Sequence, residues 1–404
     1  VARKRLPRGA AAPGVRRPRA VVAKREWVGD DGGMRIGVPR EVKEQEFRVA
    51  LTPAGAGELV RHGHAVVVES AAGVGSGFGD GAYAASGAEL APDADVVWGT
   101  ADLVLKVKEP IAPEYSRMRR DQVLFTYLHL AASKECTDAI LSSGVTAIAY
   151  ETVRAADGSL PLLAPMSEVA GKLAPQVGAY HLMAPLGGSG VLLGGVPGVR
   201  PAEVVVIGGG VVGSSAASVA SGMGARVTVL DTNPVRLREL DARFHSRITT
   251  VSSNAAEVEK AVLGADLVIG SVLVPGARAP KLVTEEMVAG MRPGSVLVDI
   301  AIDQGGCFEG SRPTTHANPT YRVADSLYYC VANMPGAVPH TATVALTNAT
   351  LPYVRAIADQ GWQAACVTHP DLARGLTAGA GELLSREVAA AHGYPVAAQA
   401  SGAS

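Results

Sequence analysis

Aromatic side chains are scarce: Phe, Trp and Tyr together make up 4% of the 404 residues. That poverty, set beside 47 glycines, suits a tightly wound α/β protein better than a β-sandwich. Cysteine is equally thin. Cys136, Cys307, Cys330 and Cys366 are scattered with no CxxC spacing. A disulfide framework and a zinc site are both disfavoured, no metal is expected, and reduced thiols in a cytoplasmic setting fit. No stretch reaches the ~20 apolar residues of a membrane span. No sign of charge dominates either. The formal net charge of −1 supplies no global field for nucleic acid or a membrane surface. No repeat of fixed period exists to build a solenoid.

What is present is length and apolar content. A chain of 404 residues exceeds one ordinary core, so two domains are expected, and 48% apolar against 19% charged residues can fill them. Residues 1–33 stand apart, with nine Lys/Arg against three Asp/Glu and no apolar run behind the charges. They read as a disordered basic extension rather than a secretory leader. The functional chain is expected to start at Met34, where the strand-like run Met34-Arg35-Ile36-Gly37-Val38 begins.

From there, short apolar runs alternate with helical segments, the pattern of a parallel α/β sheet. Strands are predicted at 35–38, 65–69, 103–107, 123–128 and 146–150. A long helix follows from Ser167 as N-cap towards Met183, with a kink at Pro175. A second βαβ series begins at Glu203, with strands near 204–207, 226–230, 248–251, 267–270 and 296–300. The last third reads as helical, roughly 341–360 and 379–392. The expected organisation is an α/β fold of two Rossmann-like domains with parallel sheets. Residues 34–161 open the substrate domain, 162–339 form the dinucleotide-binding domain, and the C-terminal helices of 340–404 return to complete the first.

The second unit carries the most specific local pattern. The buried-strand run Val204-Val205-Val206-Ile207 leads directly into Gly208-Gly209-Gly210-Val211-Val212-Gly213, a GxGxxG turn. Gly208 permits the tight turn, Gly210 lets a pyrophosphate approach the backbone, and Gly213 lets the helix pack on the strand. The phosphates would sit at the helix N-terminus, where free N–H groups point outward. The next strand ends in Asp231, at the spacing of an acid that binds adenosine ribose hydroxyls and repels a 2′-phosphate. NAD is therefore expected over NADP, with Arg236 nearby as the one contrary charge. A bare Gly-rich turn, with Asp231 as a helix cap, is the alternative.

Candidate chemistry gathers where strands end, because open α/β sheets bind ligands there. Lys106 and Lys108 alternate onto one face of an apolar strand, and Lys108 could polarise a carbonyl oxygen or bind a carboxylate. A snorkelling strand-end lysine fits equally well. His129 closes the run 123–128, where an imidazole could act as general acid–base or serve structure alone. Arg48 could grip a carboxylate through two parallel hydrogen bonds or simply be a surface arginine. Asp303, after the last clear strand, would lie near a nicotinamide or cap its loop. The Gly305-Gly306 pair behind it allows close backbone approach. Asn333-Met334-Pro335-Gly336 could line the same crevice.

Taken together, MRIGVPREVK, EFRVALTP, VLKVKEP, FTYLHLAAS, AYETV, LPLLAPMSEVAG, VLLGGVPGV, VDIAIDQGGCFE, SRPTTH and VANMPGAVP resemble the alanine dehydrogenase family, itself related to the NAD-binding subunit of proton-translocating transhydrogenase. The resemblance runs from Met34 to about His392. It implies reversible NAD-dependent oxidative deamination of L-alanine to pyruvate and ammonia. It also implies Arg48 and Lys108 as substrate-binding residues and His129 and Asp303 as the acid–base pair. Cofactor contacts are implied at Ser167, Gly208, Gly210, Val211, Val212, Gly213, Asp231, Arg236, Ser253, Val272 and Leu273. Further along they are implied at Ile300, Ala301, Ile302, Asp303, Arg312, Val331, Ala332, Asn333 and Met334. A homohexamer is implied as well. Two departures stand out: Gly209 where alanine is common, and His340 ahead of Thr341-Ala342-Thr343. The rival readings are a transhydrogenase subunit, a dehydrogenase for a larger amino acid, and a non-catalytic NAD-binding module.

Overall fold

The computed structural model describes residues 33–272 and 279–396. Apart from Gly33, the basic extension lies outside the described residues. Six strands, β1 (Arg35–Val38), β2 (Ala65–Glu69), β3 (Glu89–Ala91), β4 (Leu103–Leu105), β5 (Val123–Thr126) and β6 (Thr146–Ala149), pair in parallel. Their spatial order is 3-2-1-4-5-6, so the order reverses between β1 and β4. The second sheet repeats this plan with β7 (Glu203–Ile207), β8 (Arg226–Asp231), β9 (Thr249–Ser252), β10 (Leu267–Gly270), β11 (Val296–Asp299), β12 (Thr320–Val323) and β13 (Ser326–Tyr329). Here β7 and β10 flank the reversal, and β12 adds an antiparallel edge beyond β13. Valine-rich runs such as Val66–Val68 and Val204–Val206 are buried throughout, as strands covered by helices on both faces must be.

The chain end returns to the first sheet, and it brings strands as well as helix. β14 (Leu376–Gly379) pairs antiparallel with β6, and β15 (Glu382–Leu383) folds back on β14. The expected helix 379–392 is therefore corrected to Arg386–His392. The periodicity misled because Ala380 (φ 54°) and Gly381 (φ 88°) both adopt left-handed backbone, the requirement of a tight two-residue hairpin. The helix before it runs Pro339–Thr368 and is broken at Gly361, where φ is 79°.

Ser167 is not an N-cap. The long helix begins at Ala164, one residue before Pro165, whose fixed φ suits a first turn; Ser167 N donates to the Leu163 carbonyl inside that turn. The helix continues through Pro175 to His181. Its start packs Met166 and Val169 into the first core, and its next turns pack Ala170 and Ala174 into the second. One helix thus belongs to both units. It lies close against the helix Val211–Gly222, since a Cβ on Gly171 would stand 2.3 Å from the Val212 carbonyl oxygen. No helix among the described residues is long and apolar enough to cross a membrane.

Candidate functional site

Each sheet reverses its strand order once, and chemistry sits at both reversals. At the second, Gly208 holds φ 99°, and a Cβ on Gly213 would lie 1.8 Å from the Gly208 carbonyl oxygen. Both positions therefore demand glycine. Gly210 differs, because a Cβ there would meet no protein atom within 4 Å. It faces open space, and no side chain caps the first turn of the helix Val211–Gly222 that follows. Uncapped N–H groups at a helix start, with room in front of them, fit a pyrophosphate. A cleft of about 250 Å³ at this helix start is lined by Lys172, Val211, Ser214 and Arg236 among others.

Asp231 ends β8 with both carboxylate oxygens engaged by backbone. Gly209 N donates to Oδ2 at 2.6 Å and Asn233 N to Oδ1 at 2.8 Å. The acid is held beside the glycine turn, where a ribose would lie. A methyl on Gly209 would approach Leu240 Cδ1 to 2.8 Å and Asp231 Oδ2 to 3.2 Å, which accounts for glycine here. Arg236 pairs with Glu239, Ser253 N donates to the Asp231 carbonyl, and Val272 packs against Gly208. Arg312 lies 4.1 Å over the Tyr321 ring. Val331 and Met334 are buried in the same core as β7. Leu273 lies outside the described residues. The fit to NAD is good: an uncapped helix start, an open glycine and a tethered acid stand together.

At the first reversal, the segments after β1 and β4 face each other. Lys106 and Lys108 do not share an exposed strand face, because β4 ends at Leu105. Lys106 is fully buried between Glu41 and Glu114, at 2.9 and 2.8 Å. Burial opposes its charge, but the two carboxylates prevail and hold its pKa above the ordinary lysine range. Glu41 also accepts from Val107 N at 2.6 Å, which ends the ladder and turns Lys108 away. Burial and the Arg48 charge lower the Lys108 pKa, while Glu109 and Asp303 favour its cation. No hydrogen bond or ion pair reaches the Lys108 ammonium from any described residue.

Arg48 is buried. Its Nε donates to Glu46 at 2.7 Å and its Nη2 to Asn333 Oδ1 at 2.7 Å, while Asn333 Nδ2 donates back to Glu46. Asn333 belongs to the second unit, so this triangle joins the two units at the cleft. A cavity of about 440 Å³ lies against Lys43, Glu46 and Arg48. Asp303 stands exposed in the turn Ile300–Gln304 after β11, in electrostatic range of Lys108.

His129 follows β5 in left-handed backbone, φ 47°, a conformation costly for a side-chain-bearing residue. Glu151 offsets that strain. Its carboxylate accepts from Leu128 N and from His129 N, the latter at 2.6 Å, and it lies 4.0 Å from His129 Nδ1. The imidazole stacks on Tyr127, whose hydroxyl donates to the Leu162 carbonyl. Arg48 and Asp303 thus lie in electrostatic range of Lys108, and Tyr127, on which His129 stacks, feels the Arg48 charge. No ion pair links His129 to the other three among the described residues. Glu46, Tyr127 and Glu151 were missed in the sequence. Glu151 was findable, since it follows the carboxyl end of β6 as His129 follows β5.

Two family models cover this chain. Alanine dehydrogenase/PNT, N-terminal domain, matches residues 37–170, and Alanine dehydrogenase/PNT, C-terminal domain, matches 174–386. An alanine dehydrogenase of Mycobacterium tuberculosis is 64% identical over 91% of this chain and 99% of its own length. One from Geobacillus stearothermophilus is 54% identical over 90% and 97%. Among solved structures, an L-alanine dehydrogenase superposes with a TM-score of 0.87 at 53% identity, covering 89% of this chain and 99% of that one. A transhydrogenase from Sinorhizobium meliloti gives 0.76 at 25% identity, covering 86% and 99%.

Proposed function

The chain belongs to the alanine dehydrogenase/PNT family, and from that membership we propose that it catalyses the reversible NAD-dependent oxidative deamination of L-alanine to pyruvate and ammonia. The observation that carries this reading is Lys108: a desolvated ammonium with no direct ion pair among the described residues, beside buried Arg48, at the contact between the substrate unit and the dinucleotide unit. A desolvated lysine ammonium beside a guanidinium that Glu46 and Asn333 hold in place calls for a small carboxylate.

Gly208–Gly213 and Asp231 would hold NAD, which when bound would supply the acceptor for the hydride of the substrate α-carbon. Arg48 and Lys108 bind the substrate carboxylate and orient the α-carbon towards the second unit. The imine left by oxidation is attacked by water, and His129 takes a proton from that water. Lys108 stabilises the oxygen charge that develops on the carbinolamine. His129 then returns the proton to the departing nitrogen and takes the hydroxyl proton as the carbonyl forms, so ammonia leaves and pyruvate remains. Asp303 orients these groups from its turn and favours the Lys108 cation. Asp231 selects NAD by repelling a 2′-phosphate.

We assign the working form to the cytoplasm as a homohexamer, in keeping with the family resemblance and the reduced, scattered cysteines; light scattering after size-exclusion chromatography tests the assembly. The purified full chain, NAD⁺ and L-alanine should yield NADH, followed by its absorbance, with no membrane fraction added. Absence of alanine turnover with intact NADH binding would instead favour a transhydrogenase-like subunit or a silent binding module. A substrate screen separates a dehydrogenase for larger amino acids.

A further inference from the structure

The turn that carries Asp303 is held by two charges, neither of which is used up in an ion pair among the described residues. Asp299 closes β11 as a buried carboxylate. It accepts from Ala301 N at 3.1 Å, Cys307 N at 3.0 Å, Phe308 N at 3.3 Å and the Ser311 hydroxyl. One side chain thus ties the start of the loop to its return. The carbonyl side has its own anchor. Lys281 Nζ donates to Gly305 O at 2.7 Å, Gly306 O at 2.9 Å and Phe308 O at 2.8 Å. Flanking backbone completes the seam, as Ala279 N donates to Gln304 O and Leu282 N to Cys307 O. All five carbonyls from Gln304 to Phe308 are therefore satisfied from 279–282.

This geometry is demanding. Gly305 and Gly306 both adopt positive φ, 89° and 73°, and a Cβ on Gly306 would stand 2.6 Å from Asp299 Oδ2. The chain reverses just behind Asp303, so the carbonyls of Gly305, Gly306 and Phe308, directly past the short helical turn Ile300–Gln304, converge on Lys281 Nζ. An ammonium there complements the negative end of the turn and fills a cradle of three carbonyls from a single atom. An uncharged side chain would leave those carbonyls competing for water and release the loop.

We propose that Lys281 is a positioning residue for the reaction: together with Asp299 it fixes the loop Ile300–Phe308 and so holds Asp303 towards Lys108. This rests on the dehydrogenase reading above. Misplacing a reacting group by about 1 Å can cost on the order of 10²-fold in rate. Lys281→Met in the full chain should lower kcat for alanine oxidation by about 10- to 100-fold. Hydrogen exchange should rise in peptides covering 300–308 and stay unchanged over β7 and the helix Val211–Gly222. In Lys281→Ala, added ethylammonium should restore part of kcat while tetramethylammonium at equal ionic strength does not. The oxidative direction is used because ammonium is a substrate in the other.

Turnover of Lys281→Met within twofold of wild type overturns the proposal. So does a lowered kcat without either the local exchange change or the ammonium rescue. If Lys281→Met does not fold, Lys281→Arg decides. It keeps the charge but cannot serve three carbonyls from one atom, so a reduced kcat with local exchange supports the proposal and a wild-type kcat refutes it. A wild-type chain inactive on alanine would strike the dehydrogenase reading instead, and the exchange contrast would still report on the loop.

Discussion

Among the described residues Lys108 has no ion-pair partner for its charge, so proton concentration acts directly on substrate binding. Burial first, then the neighbouring Arg48 and Lys43 charges, lower its pKa below the ordinary lysine value of about 10.4. The charged form binds the carboxylate. Binding of an unreactive carboxylate such as propionate should be flat at lower pH and weaken as pH rises through the lowered pKa. Lys43→Gln removes one like charge and frees Glu109 from its ion pair, so the break should move to higher pH. An inhibition-constant profile against pH reads both effects. At the second residue, His129→Ala removes the proton carrier, and kcat should drop by about 10²–10⁴-fold while NADH fluorescence titration stays unchanged. Wild-type turnover in that variant would remove His129 from the chemistry.

Within the strand–turn–helix element β7, Gly208–Gly213 and Val211–Gly222, the glycines are not equivalent. A methyl on Gly213 collides with the Gly208 carbonyl, whereas a methyl on Gly210 meets only open space. Gly213→Ala should therefore lower thermal stability, by about 1–3 kcal/mol on the scale of overpacked sites. Gly210→Ala should leave the melting temperature alone and weaken NADH binding, because its methyl occupies the ligand's side. Differential scanning fluorimetry with and without NADH separates the two. Equal loss of stability in both variants would deny that Gly210 faces the cofactor. The element was legible in the sequence because its logic is local: a buried run, a fixed glycine spacing, and an acid ending the next strand. β14 and β15 were not legible, since a two-residue strand has no periodicity and the partner of β14, β6, lies far back in the chain.

Across the whole molecule, function depends on joining two doubly wound sheets that share one helix. Asn333 of the second unit holds Arg48 and Glu46 of the first, from a left-handed backbone with φ 64°. Asn333→Gly keeps that backbone at no strain and deletes only the side-chain bonds. Hydrogen bonds to charged groups contribute about 1.5–3 kcal/mol, so KM for pyruvate should rise about 10- to 100-fold. An unchanged KM would mean that Arg48 is oriented by Glu46 alone. The position of Arg48 was readable from EFRVALTP only as a resemblance, and its partner, nearly 300 residues away, was not readable at all.

Local pattern and charge were enough to declare two α/β units, a dinucleotide turn with its acid, and the strand-end candidates Lys108, His129 and Asp303, because each rests on spacing within a few residues. Folding alone decided which of the two lysines, Lys106 and Lys108, became a buried tie and which was left without an ion pair among the described residues. It decided that Glu151 would hold His129 in a strained backbone and that Lys281 would cradle the loop of Asp303. The physical reason is the same in each case. Desolvation and hydrogen-bond geometry depend on which distant segments are brought together, and a linear pattern records only what each segment is, not what it will meet.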